Sequence, residues 1–237
     1  MKILVIGGTG FIGPHVVRAL IAGGHEVAVF QRGEHAADLP AGVRQIRGDR
    51  RDLVAHQAAF DAFAPEVVID VILSSGRQAA ALMDLFRGRA RRTYPPANIK
   101  ALQAVFGWLD DEYDKIPVER AVLGDAQLPG TVLRLPMVYG PGDPLHRFFP
   151  LLKRIDDGRP AILFADDFAV WRGSKGYVEN VGAAIALAAV SEKAAGRIYN
   201  VANRRCPPSA SGRSAWRRPA AGEDASSSFR ERGRPNI

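Results

Sequence analysis

The sequence predicts an α/β fold: an open, doubly wound parallel sheet with helices on both faces and a small, truncated C-terminal lobe. Three observations carry this reading. A five-residue apolar run at the start of the chain (Lys-Ile-Leu-Val-Ile, residues 2–6) leads directly into glycines 7, 10 and 13, and the glycines lead into a helical pattern. Strand-like and helix-like segments then alternate, as a parallel sheet with crossover helices requires. With 237 residues, of which 47% are hydrophobic, the chain can bury a sizeable core.

The elements follow in order. Residues 2–6 are almost continuously apolar, the mark of a parallel strand buried on both faces. Residues 11–23 carry Ile12, Val16, Val17, Leu20 and Ile21 at helical spacing. Residues 26–30 form a second strand, and residues 44–47 a third, punctuated by Gly42 and by Gly48-Asp49. Pro65 precedes a fourth strand at 67–72. Helical patterns at 76–87, 97–109 and 111–123 then succeed one another with no strand signal between them. Strands return at 131–135 and 198–201, and residues 183–190 suit a buried helix. The run Arg-Gly-Arg-Ala-Arg-Arg-Thr-Tyr at 87–94 is too rich in arginine for a buried central strand. The reading therefore expects the sheet to lack one central strand and to pass from 67–72 straight to 131–135, or to leave a gap between them.

The junction at 7–13 carries the chemistry. A glycine permits the tight turn, a second lets backbone N–H groups approach a pyrophosphate, and a third lets helix and strand pack closely, with the helix N-terminus favouring the anion. A second strand begins about 20 residues after the first, the Rossmann-like context such a turn needs. This Gly-x-x-Gly-x-x-Gly turn resembles that of the NAD-dependent epimerase/dehydratase family, the extended short-chain dehydrogenases/reductases. Arg-Leu-Pro-Met-Val-Tyr-Gly-Pro-Gly-Asp at 134–143 and Gly-Tyr-Val-Glu-Asn-Val-Gly-Ala-Ala-Ile at 176–185 resemble further stretches of that family. Phe-Gln-Arg-Gly at 30–33 and the surroundings of Trp171 and Arg172 are similar to the branch related to chloroplast stem-loop-binding proteins.

The resemblance implies an NAD(P)-binding domain over 1–143, a partial substrate lobe interleaved with it over 144–203, and a hydride-transferring activity on a sugar-nucleotide-like substrate. It implies cofactor contacts from Gly7, Thr9, Gly10, Phe11, Ile12 and Gly13, from Pro136 and Met137 beside the nicotinamide, and from Asp49 at the adenine. It also implies substrate contacts from Tyr139, Arg172 and Tyr177. Where an acid at the end of the second strand would hold both ribose hydroxyls of NAD, the chain has Gln31-Arg32, so NADP is favoured over NAD. The family's proton chemistry rests on a Tyr four residues ahead of a Lys, the Lys holding the ribose and lowering the phenol pKa. Here Lys115, with Glu119 downstream, resembles that lysine, but Tyr113 stands only two residues before it. Residues two apart on a helix are turned about 200° from each other, so Tyr113 is expected to face away from Lys115. The family's Ser-bearing strand is expected to be missing, and Ser74-Ser75 follow the fourth strand, where that serine does not belong. Weak or absent turnover is expected.

The formal charge of +7 is mostly a property of the end of the chain, where residues 204–237 hold eight arginines against three acidic residues. Rich in Ser, Pro, Gly and Arg, that segment is expected to be a disordered basic tail. A non-catalytic nucleotide-sensing or RNA-binding protein is the alternative reading; the nearly neutral body, without an aromatic RNA-binding motif, makes RNA the less favoured partner. The single cysteine, Cys206, excludes an internal disulfide, and the five histidines (His15, His25, His35, His56, His146) show no paired ligand spacing, so no metal is expected. The first residues read as a core strand and not as a signal sequence, and no run is long enough to span a bilayer, so a cytoplasmic location is expected.

Overall fold

A computed structural model describes residues 1–34, 37–94, 96–97 and 112–203. Strands β1 (Lys2–Ile6), β2 (Glu26–Gln31), β3 (Arg44–Arg47), β4 (Val67–Asp70) and β5 (Arg92–Tyr94) form a parallel sheet in the order β3-β2-β1-β4-β5. Helices α1 (Gly13–Ala22), α2 (Gln57–Phe63) and α3 (Gly76–Phe86) connect them. A second parallel set, β6 (Pro96–Ala97), β7 (Val132–Arg134) and β10 (Ile198–Asn200), runs in the order β10-β7-β6. A bridge between Thr93 and Gly130 and a bond from the Thr131 N–H to the Thr93 carbonyl at 2.9 Å link the two sets.

The side-chain alternation of the strands sorts the core into two layers. Ile3, Val5, Val27, Val29, Val67 and Ile69 face a cluster with Val16, Val17 and Leu20 of α1 and Val181 and Ile185 of α7 (Val178–Val190). Leu4, Ile6, Ala28, Phe30 and Val68 face Phe60 and Phe63 of α2, Leu82 and Phe86 of α3, and Val118 and Val122 of α4 (Lys115–Leu123). Helices thus cover both faces, the doubly wound arrangement.

The missing central strand is the reading that the structure overturns. Arg92–Tyr94 pairs in parallel with β4, Thr93 lying opposite Val68, and Thr93 is fully buried. The arginines at 87, 89 and 91 precede the strand, where Arg87 pairs with Asp84 and Asp125, and Arg89 with Asp61. Thr93, β-branched, is a side chain that a buried strand tolerates well. The sheet therefore passes from β4 through β5 and β6 to β7. Of the three successive helices expected, 76–87 is α3, the third begins only at Lys115, and 98–111 falls outside the described residues, as does 204–237.

The chain divides into two compact units. The larger takes Met1–Pro144 together with Lys175–Asn203, and so includes β8 (Met137–Tyr139), β9 (Lys175–Tyr177), α7 and β10. The described part of the smaller, Leu145–Ser174, carries α5 (Phe149–Asp156) and α6 (Asp166–Val170); within it the rings of Phe164, Phe168 and Trp171 stack in series at 5.7 and 5.9 Å.

Candidate functional site

At the β1–α1 junction Gly7 adopts φ +80°, and its N–H donates to the Phe30 carbonyl at 3.0 Å, tying the turn to β2. The Gly10 N–H closes the turn onto the Gly7 carbonyl at 3.2 Å. A Cβ added at Gly13 would stand 2.5 Å from the Gly7 carbonyl oxygen and 2.6 Å from the Gly8 Cα, so the start of α1 lies directly on the turn. Gly10 is different: a Cβ there would meet only the Gly7 oxygen, at 3.6 Å. No other atom of the described residues comes within 4 Å of that added Cβ, which fits the close approach of a ligand. Thr9 is half-buried on the turn, Phe11 and Ile12 pack against the α1–α7 layer, and no acidic residue in the first turn of α1 offsets its positive end.

Gln31 is buried and ties itself down, its Oε1 accepting from the Gly33 N–H at 2.6 Å and its Nε2 donating to Gln45 at 3.2 Å. The position that would carry an acid in an NAD site is this Gln31, and Arg32 pairs instead with Glu34, 2.9 Å from its guanidinium. The turn at Gly33, with φ +92°, brings the two around to each other. Asp49 caps the short turn Arg50–Asp52 and grips Arg51 through both carboxylate oxygens; that bond, with the nearby Arg32 charge, holds its pKa down to about 2.

At the end of β4 lies a group that the sequence reading did not single out. Asp70 is fully buried and pairs with Arg50, itself 7% exposed, at 2.7 Å. Its other oxygen accepts from the Ile72 N–H at 3.0 Å, and Arg50 also donates to the Gln78 carbonyl at 3.3 Å. Ser74 donates to Gln78 at 2.9 Å, and the Ser75 hydroxyl caps α3. Both serines are fully buried and serve the start of that helix.

Lys115 opens α4, with Asp114 as the cap, and donates from Nζ to the Leu73 carbonyl on the turn after β4. Burial lowers its pKa to about 8, with the Asp70 charge opposing the drop and the Arg50 charge adding to it. Tyr113 is corrected as well. The expected 200° rotation assumes that both residues lie in one helix, but Asp114 is extended (φ −152°, ψ 127°) and the helix starts after it. Tyr113 therefore folds back, 6% exposed, with its ring centroid 5.2 Å from the Lys115 ammonium. Glu119, one turn along α4, binds Arg134 of β7 through two bonds of 2.8 and 2.7 Å, fixing the helix on the sheet.

Because the folded lysine prefers to lose its proton earlier than the unfolded one, unfolding takes up a proton between about pH 8 and the usual lysine range near 10.4. Stability is therefore expected to rise with pH across that window, by on the order of 1 kcal/mol per unit. Chemical denaturation of the wild type and of Lys115→Met at pH 7.5 and 9.5 measures it; a slope shared by both proteins would remove Lys115 as its source.

In the larger unit the Tyr139 and Tyr177 rings lie 5.7 Å apart across the β8–β9 pair, and burial raises the Tyr177 pKa. Pro136 packs against Gly176, where an added Cβ would stand 2.9 Å from its Cγ, and Met137 is half-buried at the start of β8. Arg172 belongs to the smaller unit. No three of the described His, Cys, Asp and Glu residues form a group that could hold a metal, and no described helix is long and apolar enough to cross a membrane.

The family model of the NAD dependent epimerase/dehydratase family matches residues 3–86. The chain is 31% identical to the 2'-dehydrokanamycin reductase of Streptomyces kanamyceticus, the match covering 88% of this chain and 63% of that protein. It is 30% identical to the 2-alkyl-3-oxoalkanoate reductase of Stenotrophomonas maltophilia, over 86% of this chain and 71% of the relative. The chloroplast stem-loop binding protein of 41 kDa b of Arabidopsis thaliana is 22% identical, over 86% of this chain and 59% of its own length. Among solved structures, the UDP-glucose 4-epimerase of Thermus thermophilus in complex with NAD aligns with a TM-score of 0.62 and 25% identity, over 91% of this chain and 82% of that one.

Proposed function

Because the chain belongs to the NAD dependent epimerase/dehydratase family, we propose that it binds a nicotinamide dinucleotide over the 7–13 turn and acts, at low turnover, by transient hydride transfer on a small substrate of the sugar-nucleotide kind. The open side of Gly10, on a turn otherwise closed by backbone contacts, carries this reading. Gly7, Thr9, Gly10, Phe11, Ile12 and Gly13 would hold the pyrophosphate, Asp49 the adenine, Lys115 the nicotinamide ribose, and Pro136 and Met137 the nicotinamide. When bound, the nicotinamide supplies the acceptance and return of hydride.

The chain's own part is to place charge and protons. Lys115 brings a positive charge to 5.2 Å from the centre of the Tyr113 ring. Tyr113 is the candidate proton-handling group, and its burial, which shields it from substrate as well as from water, is the basis for the low turnover proposed. Tyr139 and Tyr177 are the candidate substrate contacts of the larger unit; Arg172, in the smaller unit, is a candidate in its own right, its guanidinium suiting a phosphate.

NADP is the preferred cofactor in this reading, its extra phosphate replacing Glu34 as the partner of Arg32. Arg32→Ala is then expected to weaken NADP about 10- to 100-fold and NAD far less, the loss of one charge-assisted bond. Calorimetric titration of the wild type with each dinucleotide tests both claims. Binding of neither at millimolar concentration would overturn the function, and equal affinities would overturn the preference alone. A screen of sugar nucleotides for hydride transfer, followed at 340 nm, tests the substrate class.

A further inference from the structure

We propose that Asp70 and Arg50 are positioning residues for Lys115, holding it at the end of β4 through the turn 70–73. The path is continuous. Arg50, 7% exposed, meets Asp70 at 2.7 Å; Asp70 receives the Ile72 N–H at 3.0 Å; the next carbonyl along, that of Leu73, receives the Lys115 ammonium. A second strut comes from the same segment, since the Asp114 N–H, at the cap of α4, donates to the Ser74 carbonyl at 3.2 Å. The turn also abuts the nucleotide loop, for a Cβ at Gly7 would stand 2.8 Å from the Ile72 side chain.

A purely structural pair would have no reason to be ionic, because taking two charges out of water costs several kcal/mol per ion that apolar side chains of similar volume avoid. The arrangement is asymmetric in a way that serves the lysine. Asp70 has Arg50 on one side and an electrostatic hold on Lys115 on the other, whereas Arg50 keeps an Nε with no hydrogen-bond partner among the described residues. Among the described residues, Asp70 at the end of β4 and Arg50 from the turn after β3 act on Lys115 charge to charge. From its own segment the Tyr113 ring faces it, while Asp114 is exposed and turned to the Ile116 N–H, and Glu119 is engaged by Arg134 of β7. Asp70 favours the ammonium and Arg50 opposes it, so the pair sets the charge of the lysine from two opposite directions.

The inference rests on the cofactor reading of Lys115 only for its purpose, and the test separates the two. The 13Cε resonance of Lys115, assigned with Lys115→Met, is titrated in the cofactor-free wild type, Asp70→Asn, Arg50→Met and the double variant. The titration midpoint is expected to fall by about one pH unit in Asp70→Asn and to rise by a smaller amount in Arg50→Met, with the double variant between wild type and Asp70→Asn. A structural role alone would shift both single variants in the same direction or neither, and either result overturns the proposal. Should the single variants fail to fold, a double variant with an unchanged midpoint also overturns it. Affinity for NADP, measured against pH on the same proteins, is expected to follow the midpoint. Midpoints that move as described while affinity stays flat uphold the coupling and overturn the cofactor role of Lys115.

Discussion

Gly10→Val is expected to fold and to lose dinucleotide binding, whereas Gly13→Val is expected to be strongly destabilised, although the two glycines lie three residues apart in one turn. The asymmetry is geometric. A Cβ at Gly10 clears its nearest neighbour by an ordinary contact distance of 3.6 Å, so the isolated protein has no objection to it. The same atom would occupy the space through which a pyrophosphate reaches the backbone N–H groups, and a loss of at least about 100-fold in affinity is expected from an obstructed charge-assisted contact. At Gly13 the added atom would overlap backbone at 2.5 to 2.6 Å, and backbone cannot rotate aside. α1 would have to lift from the turn and give up Val16, Val17 and Leu20, all buried between the sheet and α7. Overpacking of this kind typically costs about 1 to 3 kcal/mol, and more where backbone must move. Thermal melts and calorimetric titration with NAD and NADP read the two outcomes. Cofactor affinity retained in Gly10→Val would mean that the open side of the turn is not where the ligand lies.

The second large effect belongs to the buried ion pair. Asp70→Asn leaves the Arg50 guanidinium in the interior without its counter-charge, and breaking such a pair costs about 3 to 5 kcal/mol. A domain of marginal stability, about 5 to 15 kcal/mol, loses a large share of its margin to that one change. Replacing both partners in Arg50→Met/Asp70→Asn is expected to recover most of the loss, because no unpaired charge stays inside. Urea denaturation of the two single variants and the double variant gives the coupling energy directly. A double variant whose cost equals the sum of the singles would show that the 2.7 Å contact contributes no energy of its own.

The legible parts of this chain were the local ones. The nucleotide turn could be read because its strand, its glycines and its helix are contiguous, and backbone geometry demands glycine where φ is positive or where helix and strand touch. The helices on both faces followed from the alternation of strand-like and helix-like segments. Misreadings arose where a boundary moved by a few residues. Starting α4 before Tyr113 put the tyrosine on the wrong side of a helix; starting it at Lys115, after an extended Asp114, returns the ring to the lysine. Reading the arginines at 87–92 as one block hid a strand that pairs with β4 and buries Thr93. Glu34 escaped notice because the turn at Gly33 brings it back to Arg32. Arg50 and Asp70 were invisible for a different reason: they lie 20 residues apart on different elements, and nothing in local spacing connects them.

The larger unit is assembled from both ends of the described chain, and this governs the order in which it can come to exist. α7 supplies Val178, Val181, Ile185, Ala186 and Ala189 to the layer beneath α1, and Gly182 lets it come so near that an added Cβ would stand 2.8 Å from the His15 backbone. β10 pairs with β7 across more than sixty intervening positions, Ile198 lying opposite Val132. A polypeptide emerging from the ribosome has therefore completed β1, α1 and β2 long before the helix that roofs them is made. Until then the apolar side of the first βαβ unit faces water, and closing it requires contacts at a sequence separation that slows folding. During synthesis the newborn nucleotide turn stands on an unfinished hydrophobic surface, the situation in which nascent chains depend on holdase chaperones and are most exposed to aggregation.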